Sequence, residues 1–435
     1  MLIPPTYVRE LYMTDVVKGL VILALTCIFY ITSVFPIGVT ALLSSMAMAL
    51  CGFVSYNEAF SGFANDTVML CIGMSIVGEA LLNTGVSDYM GKILIKFFAK
   101  NAKIFLITCI LFAALISAFI SNVATTAIFI PIITGVAENS NGRITKKGTL
   151  MAVAIATGTG GICTLSGAPT QVLAQAMLKN GGYETMGFFE LSKLGIPLTL
   201  LLILFVLTIG EKLSKGKDGE TAVISQKRVQ EQVVSGSVKA KQIISFSILL
   251  LCIAAFVAQI WSVGFIAMTG AILCIITGCI DLKKAYEGVE WNTIFTLAGA
   301  IGFAAGLSKS GVCEWIASGA VTLLGKSASP FIIFSLIIFI AMIFTNVTSN
   351  VATVAILVPI GISLASALGI SVKSVVVGIV IGASLSFATP IATPPMTMVL
   401  DCGGYKFTDY LKTGGIFTLL AYALTLILVP LLIAL

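Results

Sequence analysis

The chain is written as long apolar runs separated by short polar breaks, and the run lengths predict membrane-crossing helices. Runs of about 18 residues recur along it, each long enough to cross a hydrocarbon core of about 30 Å. They predict spans near 19–35, 37–54, 66–83, 149–177, 192–210, 242–260, 262–280, 291–308, 374–400 and 413–433. Two other apolar stretches, 104–137 and 331–365, carry a polar phrase at their centres: "ISNVATTAIFIP" from Ile120 and "TSNVATVAILVP" from Thr348. Each arm beside a phrase has about 15 to 17 residues, short for a full crossing. Re-entrant helical hairpins are predicted, with tips at Asn122 and Asn350. Non-helical backbone at membrane depth survives only where protein or an aqueous cavity satisfies it. An unpaired buried amide costs a few kcal/mol, so both Asn side chains require partners.

The polar phrases belong to a duplication. "TGVSDYM" from Thr84 matches "SGVCEWI" from Ser310, and "NDT" from Asn65 matches "WNT" from Trp291, both at an offset of 226. The Ser-Asn pairs, and Pro131 with Pro359, are 228 apart, and "TLSGAPT" from Thr164 matches "TPIATPP" from Thr389 at 225. Ordered matches at nearly constant offset indicate an internal repeat. Residues 1–210 form the predicted first repeat, 211–241 a polar linker and 242–435 the second repeat. Each repeat carries five spans, an odd number, so the two must be inverted in the membrane. Inverted repeats with interrupted helices are the pattern of secondary transporters.

Composition agrees with a polytopic membrane protein: 58% of the 435 residues are hydrophobic and 10% are charged, against about 25% charged in soluble domains. The net charge of +6 reports topology rather than nucleic-acid binding. With the central linker cytoplasmic, 18 Lys and Arg residues fall inside and 7 outside, which favours that orientation in a cell (inner) membrane. Both termini then lie outside, and no signal peptide is evident. The Lys-studded stretch 87–103 predicts an interfacial amphipathic helix, with its counterpart near 313–327. The ten cysteines form no CxxC pair, and the chain has no His. The usual general base and metal ligand are therefore missing, and an enzyme is not expected.

Two spans are interrupted by Gly and Pro: "GTGGICTLSGAPTQV" from Gly158 and "GASLSFATPIATPPMTM" from Gly382. Pro in a helix interior costs about 3 kcal/mol, so both helices are predicted to break there. The breaks sit at equivalent repeat positions, each after a hairpin, which predicts a binding site. No Asp, Glu, Lys or Arg occupies the tips or the breaks in sequence, so recognition falls to neutral groups. Freed carbonyls suit a hard cation such as sodium, helix N-termini suit an anion, and an Asn amide can face both.

These tips and breaks resemble the divalent anion/sodium symporter (DASS) family, from about residue 37 to the end. The resemblance implies an elevator-type, homodimeric transporter with scaffold and transport domains, coupling Na+ to dicarboxylate, citrate or sulfate uptake. Carried over by position, one sodium site would use Ser117, Ser121, Asn122 and Gly167, and the other Thr345, Thr348, Asn350 and Ala392. The substrate site would comprise Asn122, Val123, Ala168, Pro169, Asn350, Val351, Thr393 and Pro394. Val123 and Val351 stand where the family pattern has a hydroxyl, Ala168 replaces a Thr, and Gln171 and Met396 replace Asn. An amino-proximal span common in the family is missing from the predicted ten.

The expectation is thus a sodium-coupled carrier of small divalent anions, C4-dicarboxylates foremost. The alternatives are a sulfate or citrate carrier, an anion exchanger, or a proton-coupled carrier using the intramembrane Glu79. Two related pockets, rather than a ring of pore-lining groups, argue against a channel.

Overall fold

The computed structural model describes residues 5–86, 101–140, 144–210, 236–324 and 329–433, and these are helical with no strands. Helix α1 (Pro5–Thr32) leads to α2 (Ile37–Leu50) and α3 (Asp66–Asn83). The first hairpin is α4 (Ala102–Ser117) and α5 (Asn122–Asn139). The first broken helix is α6 (Lys146–Gly161) and α7 (Pro169–Asn180), followed by α8 (Ser192–Phe205). The order then repeats. Helices α9 (Gly236–Ala258), α10 (Val263–Ile276) and α11 (Trp291–Lys309) precede α12 (Val312–Leu324). The second hairpin is α13 (Pro330–Thr345) and α14 (Asn350–Leu368), and the second broken helix is α15 (Val372–Ser384) and α16 (Pro394–Cys402). Helix α17 (Gly415–Ile433) closes the described chain.

Local chemistry sets these boundaries. Ser121 and Ser349 are N-caps: their hydroxyls accept from Ala124 N and Ala352 N and satisfy orphan donors of α5 and α14. The Ser of each Ser-Asn phrase thus starts the returning arm of its hairpin, and the Asn is its first helical residue. Helices α7 and α16 begin at Pro169 and Pro394, where a fixed φ and a missing N–H cost nothing.

Some boundaries depart from expectation. Helix α1 begins at Pro5, not near residue 19; the charges at Lys18 and Asp15 pair with each other at 3.3 Å and do not interrupt it. Helix α2 stops at Leu50, where Gly52 turns the chain at φ +82°. The predicted linker 211–241 lies outside the described residues except for 236–241, which begin α9. Most of the stretch 87–103 also lies outside them.

Two ion pairs fix the relative direction of the broken helices. Lys147, at the start of α6, pairs with Asp409, beyond the end of α16, at 2.9 Å. Lys373, at the start of α15, pairs with Glu184, beyond the end of α7, at 2.8 Å. Each broken helix therefore begins where the other ends. The two run antiparallel, as inverted repeats require. The repeats also interlock through their other helices. Gly38 N at the start of α2 donates to Asn292 Oδ1 of α11 at 3.0 Å, and Gly264 N at the start of α10 donates to Asp66 Oδ1 of α3 at 3.0 Å. A Cβ on Gly299 of α11 would lie 2.5 Å from the Ala41 backbone of α2, so this interface exists only because glycine lets the backbones meet.

Candidate functional site

The four helix ends created by the hairpins and breaks converge. Asn122, Ala154, Gly158 and Ala168 from the first repeat face Asn350, Ser384, Ser386, Phe387, Thr393 and Pro395 from the second. The cavity between them is about 30 Å³. One water requires about 10–15 Å³, so an ion or water fits, but a four-carbon dianion needs the walls to part. Ala168 and Thr393 are the N-cap residues of α7 and α16, extended, with no side chain capping the first N–H groups. Their positive helix ends therefore border the pocket.

Each Asn is held by its own hairpin. Ser117 Oγ donates to Asn122 Oδ1 at 2.5 Å, and Thr345 Oγ1 lies 2.7 Å from Asn350 Oδ1. With the carbonyl ends held this way, the NH2 ends are left to face an anion. Thr345 Oγ1 also lies 2.7 Å from Ala383 O. A hydroxyl has one proton, so it cannot donate to both oxygens. Three close oxygens sharing one proton suit a hard cation. Around Asn122, a Cβ on Gly161 would lie 2.6 Å from Oδ1, so only glycine admits the amide there. Gln171 Nε2 donates to Gly161 O at 3.1 Å and steadies the same turn.

A clasp joins each hairpin to its break. Thr164 Oγ1 donates to Ala118 O in the first unit, and Thr389 Oγ1 donates to Asn346 O at 3.1 Å in the second.

A hairpin paired with a broken helix, present twice and meeting at one neutral pocket, is transporter architecture, and sequence comparison gives it a family. A family model described as a citrate transporter (CitMHS) matches residues 27–372. The chain belongs to this family. An uncharacterized transporter of Methanocaldococcus jannaschii is 27% identical over 348 residues, covering 79% of this chain and 78% of the relative. The sodium-dependent dicarboxylate transporter SdcS of Staphylococcus saprophyticus is 22% identical, covering 78% and 72%. Among solved structures, the YdaH transporter of Alcanivorax borkumensis superposes with a TM-score of 0.64 at 15% identity, covering 97% of this chain and 98% of that one. MtrF of Neisseria gonorrhoeae does so at 0.59 and 17%, covering 88% and 84%; both likenesses concern the fold alone. The protein is an integral membrane transporter and not an enzyme.

Within this CitMHS member the sequence-predicted residues separate into two groups. Asn122, Ala168, Asn350 and Thr393 line the shared pocket. Val123, Val351, Pro169, Pro394 and Ala392 are not among the lining residues. Gly167 packs against Gly161, beside Asn122. Ser117 and Thr345 are bonded to the two Asn side chains. Ser121 and Thr348 turn elsewhere: Ser121 Oγ donates to Glu290 Oε1 at 3.0 Å, and Thr348 Oγ1 donates to Phe344 O at 2.9 Å.

Two residues in this region are absent from the sequence-predicted set. Glu290, just before α11, brings a carboxylate to the first hairpin tip from 169 residues away and also accepts from Thr293 Oγ1 at 3.1 Å. The expectation of carboxylate-free tips therefore holds along the chain but fails in space. Asn346 bridges the second hairpin to its break, donating to Leu385 O at 3.3 Å and accepting from Ala388 N at 3.1 Å. Its polarity inside an apolar arm was the available signal. Glu79 lines a separate notch with Asn83, Lys284, Glu287 and Gly288 and takes no part in the pocket.

Proposed function

We propose that the protein is a sodium-coupled secondary active transporter of small divalent anions, C4-dicarboxylates foremost, working by elevator-type alternating access as a homodimer. The observation that carries this reading is the neutral pocket where two Asn amides and two helix N-termini converge, each amide backed by a hydroxyl. The amide NH2 groups and the α7 and α16 N-termini suit a substrate with two anionic ends. Sodium is assigned to the oxygens behind them: Ser117 and Asn122 in one unit, Thr345, Asn350 and Ala383 O in the other. The named relative SdcS, a sodium-dependent dicarboxylate transporter, supports both assignments. In this reading the interlocked α2–α11 and α3–α10 pairs form the scaffold, and the hairpins with the broken helices move as the transport domain. The segment 211–241 is assigned to the cytoplasm on the Lys and Arg count.

The test is uptake of labelled succinate by the full chain in proteoliposomes, with and without an inward sodium gradient, in competition with citrate, malate, sulfate and tartrate. Saturable, sodium-stimulated succinate uptake with counterflow is expected. If citrate or sulfate alone is carried, the C4 assignment fails; flux without saturation or counterflow removes the carrier reading.

A further inference from the structure

Among the described residues four buried side-chain oxygens have no hydrogen-bond partner: Thr40 Oγ1, Thr125 Oγ1, Ser386 Oγ and Thr418 Oγ1. Of these, Ser386 alone lines the pocket. Its residue is 0% exposed, and it sits in the break between α15 and α16, where its hydroxyl makes no bond of the helical back-bonding kind. Neighbouring Ser384 shows the contrast: its hydroxyl is spent on Val380 O at 2.8 Å, one turn back in α15. Buried hydroxyls are nearly always bonded, and one left unmet destabilises the folded chain. A serine kept at such a position in a cavity wall has a use for its free O–H.

We infer that the Ser386 hydroxyl is a substrate-binding donor, pointing one hydrogen bond at an anionic oxygen of the transported anion. The inference rests on the anion-carrier reading above and adds to it a residue that neither the hairpin tips nor the helix-start positions supply. An anion is favoured over the cation because the surrounding groups are donors. The Asn122 and Asn350 Oδ1 atoms lie on the Ser117 and Thr345 hydroxyls, where sodium is assigned, so the amide NH2 ends remain for the anion, and the α7 and α16 N-termini border the same wall. The oxygens suited to sodium lie behind, at Thr345, Asn350 and Ala383.

The proposal also makes the pocket lopsided. At the offset of 225 that relates Gly167 to Ala392, the counterpart of Ser386 is Gly161, which has no side chain and against which Asn122 packs. One end of a two-ended anion would then meet Asn122 without a hydroxyl, and the other Asn350 with one. An anion whose ends differ in charge or hydroxylation would be held in a preferred direction.

The experiment is thermal unfolding of the purified full chain in detergent, with succinate, citrate, sulfate or sodium titrated separately, for wild type, Ser386→Ala, Ser386→Thr and Ser386→Gly. For Ser386→Ala the expected result is an unchanged or raised Tm without ligand, because an unmet polar group is gone. Its apparent affinity for the best anion should fall about tenfold, equivalent to about 1.4 kcal/mol. Sodium dependence should stay as in wild type, and Ser386→Thr should restore anion binding. A purely structural serine would do the reverse, lowering the ligand-free Tm and leaving anion affinity intact, and that overturns the proposal. So does a loss confined to sodium. If Ser386→Ala fails to fold, the same readings on Ser386→Gly decide. If wild type responds to sulfate and not to succinate, the dicarboxylate reading falls, while a weaker sulfate response in Ser386→Ala still supports Ser386. If no anion stabilises the wild type, both fall.

Discussion

The two hairpin-and-break units across the pocket are alike in how they hold themselves and unlike in what they turn toward each other. Both start the returning arm with a serine cap, both hold an Asn amide with a hydroxyl from the outgoing arm, and both clasp hairpin to break with a threonine. The first unit adds Gly161, packed on its Asn, and a tip serine bonded to Glu290 of the other repeat. The second adds Asn346, which stitches its hairpin to its break, and the unmet hydroxyl of Ser386. The shared features build helix ends at membrane depth, where every backbone group needs a partner. The unshared ones let two copies of one motif do different jobs, one anchored to the rest of the chain and the other tied internally.

The largest effect tests the shared part. Asn122→Ala and Asn350→Ala should each abolish sodium-stimulated uptake, with the protein still inserting, because each amide is assigned to cation and anion together. Apparent KM for anion and for sodium should both rise wherever residual uptake can be measured. Unchanged sodium dependence in either variant would remove that Asn from its site.

Asn346→Ala probes the internal stitch of the second unit. It strips partners from Leu385 O and Ala388 N, and unmet buried backbone groups cost about 1–3 kcal/mol. Thermal unfolding in detergent should show a lowered Tm. Ala118→Gly at the matching position of the first unit should lower Tm less, since Ala118 has no side-chain hydrogen bond to lose. Equal losses would erase the distinction.

Glu290→Ala tests the anchor of the first unit. Glu290 is exposed, so solvent screening leaves this charge-assisted hydrogen bond little weight in overall stability. A severalfold change in transport rate is expected, with Tm little altered, because Ser121 still caps α5. Glu290→Gln, which keeps an acceptor, should be milder. A rate unchanged in both variants would reduce the contact to surface packing.

The smallest effect concerns the paired clamps at the two ends of the broken helices. The hydrogen bond from Lys373, and then its charge, hold the Glu184 carboxyl below its ordinary range. A depressed carboxyl contributes stability above its unfolded value, and the contribution is lost as pH falls through the lowered folded value. Glu184→Gln should remove that small acid-side dependence from unfolding curves. The effect should be slight, because Glu184 is exposed and Lys373 keeps Glu190 at 2.7 Å.

The sequence by itself determined the class, the duplication, both hairpins and both breaks. Those features rest on local rules: apolar length, Ser-Asn caps at Ser121 and Ser349, and Pro169 and Pro394 as helix starts. Their physics acts over one or two helical turns, so it is written where it operates. The start of helix α1 escaped the sequence reading because a charged pair one turn apart in a helix looks, in one dimension, like the end of a span. Only the tertiary structure decided which groups from distant segments meet. It brought Glu290 to Ser121, turned Lys147 toward Asp409 and Lys373 toward Glu184, and left Ser386 without a partner. Partnership and its absence are properties of surroundings supplied by other helices, and no stretch of chain around Ser386 or Glu290 records what packs against it.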